Sequence, residues 1–336
     1  VVSVAVIVKG RRADIAETAG KLLEAGAMPP ETEELRSMLL YLAESLIHES
    51  PVLFMHYVSW RKALLAGLGR AEAEVDAALA SVAQALAGHI GADEAKPALD
   101  LIASARDHLR FMPAEPPGHL GHFGPAADLA RRYLDALINC RRHEAASLIL
   151  AAVEEGMPVK EVYLDVFQPV LREVGRLWQM NRVTVAQEHY ITAVTQAVMS
   201  QLYPRIFGGE RHNRAMVACC VSGELHEIGV RMVADCFEMS GWDSHYLGAN
   251  APVEETLDMA QSVNAEVIAV SATLTSHVGL VADLVGKARE RFKGKISIFV
   301  GGYPFNIDKG LWSRIGADGT AQNADDAVRL AERRSW

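Results

Sequence analysis

Cysteine is scarce in this chain: Cys140, Cys219, Cys220 and Cys236 are four thiols in 336 residues. Their spacing suits no zinc site, and so few give no disulfide framework, which reads as a reducing, cytoplasmic compartment. Basic charge is also short. Lys and Arg number 33 against 42 Asp and Glu, a net charge of −9. Residues 1–120 alone carry 11 basic and 16 acidic side chains, net −5. A nucleic-acid-reading module would show the opposite sign, so no nucleic-acid partner is expected. Long apolar runs are missing too. The stretch at residues 1–8 is too short to span a bilayer and has no signal-peptide cleavage pattern, so no membrane partner is expected. The absent initiator Met reads as a chain trimmed at its start. What is present is apolar content, half of all residues, enough to bury cores in two or three domains.

Two changes of character divide the chain. Met112-Pro113-Ala114-Glu115-Pro116-Pro117-Gly118 reads as a linker, and Phe207-Gly208-Gly209 ends a long helical stretch. Before the linker, helical periodicity runs from Pro30 to about Glu49, from Pro51 onward, and through 71–87 and 95–110. Four further helices fit 125–140, 143–155, 158–180 and 184–206, with short connections that favour an antiparallel four-helix bundle. After Gly209 the period changes. Short apolar runs at 215–221, 243–247, 267–271 and 296–300, with a weak one near 319–321, alternate with helices at 227–240, 252–263, 278–291 and 324–332. That alternation predicts a parallel sheet covered on both faces, a flavodoxin-like (Rossmann-like) α/β domain. The expected organisation is an all-helical domain at 1–112, a linker at 113–124, a four-helix bundle at 125–207 and the α/β domain at 210–336.

Ligands of an open α/β sheet gather beyond the carboxyl ends of its strands. The first strand is followed by Ser222-Gly223-Glu224-Leu225-His226-Glu227-Ile228-Gly229, the third by Ser271-Ala272-Thr273-Leu274, and the fourth by Gly301-Gly302. These pieces resemble the cobalamin-binding signature D-x-H-x-x-G, S-x-L, G-G. Here 41 residues separate Gly229 from Ser271 and 27 separate Thr273 from Gly301, which are spacings of that signature. An imidazole is a good ligand for cobalt, and the resemblance makes His226 the lower axial ligand in place of the cofactor's own base. It also implies that Glu224 orients His226, that Gly229 passes close to the ring or tail, that Ser271 and Thr273 meet the tail, and that Gly301 and Gly302 admit the nucleotide. Two departures stand out. Glu224 replaces the signature's Asp, and the leucine falls one place late, at Leu274.

The bundle resembles the cap over the upper face in CarH-type photoreceptors, which bind 5′-deoxyadenosylcobalamin. Trp178, nine residues and then Glu188-His189 match their W-x9-E-H motif. The resemblance implies that Trp178 shields the cobalt–carbon bond while Glu188 and His189 contact adenosine. These two are adjacent on a helix, so one of them should be peripheral. Gln179 stands where that family has a histidine, which excludes a light state with two histidines on cobalt through this position. An acidic helical domain in place of a basic helix-turn-helix resembles the photocobilins, which also bind biliverdin. His56 and Trp60, four apart, share a helix face with Arg61 beside them, a chemistry suited to a bilin, and the lack of any Cys before Cys140 makes such a bilin noncovalent. The same residues equally suit an ordinary amphipathic helix.

The expectation is therefore a non-enzymatic light sensor, a photoreceptor for signal transduction. It would hold adenosylcobalamin, with biliverdin as a second chromophore. Photolysis would shift the cap and change a homo-oligomer, with output through a fused or partner domain. A corrinoid methyl carrier of a methyltransferase system is the alternative from another class, and a cobalamin-only transcriptional regulator is a third.

Overall fold

The computed structural model describes residues 2–23, 32–121, 123–207 and 210–333. The start of the predicted helix at Pro30 and the Gly208-Gly209 boundary lie outside them. Two compact units are present. One is Val1–Pro116 with Ile307–Leu311, the other Pro117–Asn306 with Trp312–Trp336.

The first unit is built from helices α1 (Val2–Gly10), α2 (Arg12–Leu23), α3 (Thr32–Ile47), α4 (Pro51–Gly67), α5 (Glu72–Ile90) and α6 (Ala92–His108). The helical reading that began at Pro30 left out α1 and α2. Apolar residues of α1 and α2 recur on one face, and Val4, Val8, Ile15 and Ala19 are buried. On α3 the buried stripe is Leu35, Leu39, Leu42 and Leu46, the spacing of a helix that packs along one side.

The second unit starts with four mutually packed helical segments: α7 (Pro125–Ile138), α8 (Arg142–Glu154), the pair α9 (Val159–Glu161) and α10 (Gln168–Gln179), and α11 (Val185–Leu202). A π-helical stretch, Val162–Phe167, joins α9 to α10 and buries Tyr163 and Phe167. The α/β part follows as β1 (Ala215–Val221), α12 (Ile228–Met239), β2 (Asp243–Ala251), α13 (Val253–Ser262), β3 (Val267–Ser271), α14 (Val278–Phe292), β4 (Ser297–Gly301), α15 (Tyr303–Ile307), α16 (Leu311–Arg314), β5 (Gly319–Thr320) and α17 (Ala324–Glu332). All strand pairs are parallel and the order is β2-β1-β3-β4-β5. In that order the chain reverses its winding between β1 and β3, the position at which open sheets of this kind bind their ligands. One apolar core runs from Leu129 in α7 to Ala331 in α17, so bundle and sheet are packed on each other. Of the four cysteines, all free, three are buried in this unit, and burial pushes the thiols of Cys219 and Cys236 up to about 12.

β2 runs four residues past the predicted end at 247. The register against β1 shifts after Ala218, with Gly248 at φ +79°. This irregularity shapes the site below.

Inside the core, Tyr163 donates a hydrogen bond to Asp235 Oδ2 at 2.8 Å. Burial raises the Asp235 carboxyl above its ordinary range, with Arg231 opposing and Glu238 adding to the rise. A raised carboxylate costs stability while it is charged, and the cost fades as pH falls through the folded-state value. Asp235→Asn keeps an acceptor for Tyr163. It should raise stability at neutral to alkaline pH and not in acid, which thermal unfolding at the two pH values checks.

Candidate functional site

The loop from β1 to α12 carries the site. Gly223 turns the chain at φ +79°, and Glu224 then points inward, fully buried. Its Oε1 accepts the backbone N–H of His226 at 3.0 Å and lies 2.5 Å from His226 Nδ1. Its Oε2 accepts the N–H groups of Thr273 at 2.6 Å and Leu274 at 3.3 Å, and meets His277 Nδ1 at 3.0 Å. Burial alone would raise this carboxyl. The bonds from His226, His277 and the backbone outweigh burial and hold Glu224 ionised, well below the usual carboxylate range. The hydrogen bond to Glu224 raises the His226 pKa, against burial, with the charges of Glu224 and Glu188 adding to the rise.

The consequence is a fixed tautomer. A proton on Nδ1 serves Glu224, so in the neutral ring the lone pair sits on Nε2. The His226 side chain is 58% exposed while its partner is fully enclosed. Together they form an oriented imidazole ligand backed by a carboxylate, the arrangement proteins use to aim a histidine at a metal.

The neighbouring loops leave room. An added methyl at Gly229 or at Gly301 would meet no protein atom within 4 Å, whereas one at Gly302 would overlap the Ala272 carbonyl oxygen. Gly301 thus keeps space open at the end of β4. Gly302, at φ +101°, is glycine because the chain's own backbone crosses it. Ser271 ends β3, paired between Cys220 and Gly301. Thr273 reaches Glu224 through its backbone.

Above the loop stands the start of α11. Thr184 caps it: its hydroxyl accepts the Gln187 N–H at 3.2 Å, and Gln187 Oε1 accepts the Thr184 N–H at 3.0 Å. This box sets Glu188 in the first turn, with His189 directly after it. Glu188 lies near enough to His226 for its charge to act on the imidazole. His189 turns outward, 75% exposed, with Nδ1 2.6 Å from Glu188 Oε2, so it is the peripheral member of the pair. Trp178, near the end of α10, keeps its indole 36% exposed, whereas Gln179 is buried.

Two residues of the site lie outside the signature, Asn250 and His277. Asn250, at φ +54°, accepts the Gly223 N–H on its side chain at 2.7 Å and donates its own N–H to the Glu224 carbonyl at 3.0 Å. It therefore holds the His226 loop from the end of β2. His277, just past the Thr273 loop, is enclosed, and its Nδ1 meets Glu224 Oε2 at 3.0 Å. In the first unit, His56 and Trp60 lie on α4, and burial lowers the His56 pKa. Arg61 pairs with Glu34, at 3.2 and 2.7 Å.

The strand-end loops hold parts that fit a corrin: an oriented imidazole with an outward nitrogen, and glycines over open space. Comparisons with known proteins agree. A B12 binding domain family matches residues 214–329, and a second B12 binding domain family matches residues 129–203. The dimethylamine corrinoid protein 3 of Methanosarcina acetivorans is 25% identical over 210 residues, 61% of this chain and 95% of its own. The dimethylamine corrinoid protein 3 of Methanosarcina mazei is 31% identical over 114 residues, 33% of this chain and 66% of its own. The structure of the Methanosarcina barkeri monomethylamine corrinoid protein covers 62% of this chain and 98% of its own, at 21% identity and TM-score 0.56, which shows a shared fold. These relatives fit the methyl-carrier alternative better than the light-sensing one and lend no support to a bilin. The chain is a cobalamin-binding protein, with a helical region before a five-stranded parallel α/β domain of the B12-binding kind.

Proposed function

We propose that this chain is a corrinoid carrier that holds cobalamin with its own base displaced and His226 in its place. The observation that carries the reading is the buried Glu224 carboxylate fixing Nδ1 of an exposed His226 where the winding reverses between β1 and β3. Bound cobalamin supplies an exchangeable bond between cobalt and its upper ligand. The residues do the rest. Glu224 keeps His226 in one tautomer and one orientation. Gly229 and Gly301 leave the space the ring and tail require, with Ser271 at the rim as a hydroxyl donor. Trp178 offers an apolar surface that keeps water from the upper face. A methyl group on the upper face, delivered and taken by partner methyltransferases, is the chemistry suggested by relatives named for dimethylamine and monomethylamine.

A second reading rests on one specific observation. An exposed Trp178 on α10 and Glu188 in the first turn of α11 offer a flat ring and a polar side chain that a methyl group cannot use and an adenosyl group can. On that reading the cofactor is adenosylcobalamin and light releases the upper group, changing a homo-oligomer. A noncovalent biliverdin would then have only His56 and Trp60 of the residues first assigned to it.

One experiment separates them. The protein is loaded in the dark with methylcobalamin and, separately, with adenosylcobalamin, and its elution volume is followed before and after illumination. The carrier reading expects similar affinity for both forms, no change of elution volume, and methyl transfer to a thiol acceptor when a methyltransferase is supplied. A light-dependent elution shift with the adenosyl form, together with about a tenfold affinity loss for that form alone in Trp178→Ala, would replace it with the sensor reading.

A further inference from the structure

One face of α11 carries Glu188, Thr192, Gln196 and Ser200, each a turn apart. Glu188 acts on His226. Thr192 donates its hydroxyl proton to Glu188 Oε1 at 3.0 Å. Gln196 Nε2 donates to Glu227 Oε1 at 2.7 Å. Ser200 Oγ accepts from Arg231 Nη2 at 3.2 Å. Glu227 and Arg231 are likewise one turn apart, at the start of α12. The two helices therefore engage in matching steps.

Glu227 holds more than α11. Its second oxygen accepts the Tyr246 hydroxyl at 2.9 Å and the Ala249 N–H at 3.1 Å, and a methyl at Gly248 would crowd it at 3.2 Å. The irregularity in β2 is the place where its backbone turns an N–H toward this carboxylate. One side chain thus joins the bundle, the sheet edge and the loop, and it directly follows His226 in the chain.

We propose that Glu227 couples occupancy of His226 to the packing of α11, through Gln196. This rests on the reading that His226 ligates cobalt. A metal on His226 fixes the loop in one geometry. Glu227, one residue on, is then held where Gln196 can reach it, and the C-terminal half of α11 is pinned. Without a metal the loop keeps its Glu224 anchor, but Glu227 is held less tightly and the Gln196 bond is weaker. Coupling of this kind is reciprocal, so loosening α11 weakens the hold on the cofactor in turn.

The test uses hydrogen–deuterium exchange of the full chain, with and without hydroxocobalamin, read at the amides of residues 197–202. These lie beyond Gln196, away from the end of α11 that faces the cofactor, so direct shielding does not protect them. The wild-type chain should gain at least about fivefold protection on binding, the lower end of ordinary coupling strengths. Gln196→Leu should bind with His226 still on cobalt and lose that gain. The double exchange Gln196→Glu with Glu227→Gln reverses donor and acceptor, leaves the amide oxygen for Tyr246 and Ala249, and should restore it. An equal gain in wild type and Gln196→Leu, or no gain in wild type, overturns the proposal. Electron paramagnetic resonance of the Co(II) state reports separately whether a protein histidine is the ligand. A cofactor base on cobalt there would mean that the functional reading has failed, and the coupling with it.

Discussion

Replacing His226 by Ala lowers cobalamin affinity by about 100-fold or more, since loss of a mere outer partner of a ligand already costs about 10- to 100-fold. The reason lies in what remains. Glu224 stays buried, still tied to Thr273, Leu274 and His277, so the loop keeps its anchor and the chain keeps its fold. What disappears is the outward Nε2. Titration with hydroxocobalamin, monitored by absorbance, measures the loss, and a far-ultraviolet circular dichroism spectrum matching wild type shows that the fold is intact. Near-wild-type affinity would mean that the tail and the cap, not the imidazole, carry the binding.

The second large effect comes from adjacent glycines with opposite duties. Gly302→Ala adds a methyl where the Ala272 carbonyl already stands, on a backbone at φ +101° that side chains avoid. Neither neighbour can yield, because both belong to the backbone where β3 and β4 end. The expected cost is about 4 kcal/mol or more, the range of severe core disruption. Gly301→Ala meets nothing within 4 Å and should leave stability unchanged or raise it by up to about 1 kcal/mol, while weakening cobalamin binding by filling the space left at the end of β4. Urea unfolding of both variants, with cobalamin titration of Gly301→Ala, tests the pair. Equal stability losses in the two would refute the division of labour.

Much of this was legible in the residues. Spacing alone placed His226, Ser271 and Gly301 at one edge of a parallel sheet, because strand ends recur at fixed intervals when helices of similar length return the chain. Periodicity separated helical from alternating segments for the same reason. What escaped notice depends on contacts between distant residues. The extension of β2 past residue 247 follows from a register shift that a two-residue alternation cannot announce, and Asn250 matters only because its left-handed backbone brings it to Gly223. His277 matters because it meets Glu224's second oxygen, a contact that nothing local in the sequence announces. Arg61 looked available because Glu34, 27 residues earlier, is a neighbour only once α3 and α4 pack. Gly302 was assigned to a ligand, although the same glycine signal also serves a crossing of the chain over itself.

The central claim is that a protein imidazole replaces the cofactor's own base. The measurement that tests it most directly is electron paramagnetic resonance of the Co(II) state, in protein made with ¹⁵N-histidine and loaded with unlabelled cobalamin. The account predicts that the nitrogen splitting of each cobalt line changes from a triplet to a doublet on labelling, and that His226→Ala abolishes the change. A triplet that persists in the labelled protein would place the cofactor's own base on cobalt and contradict the account.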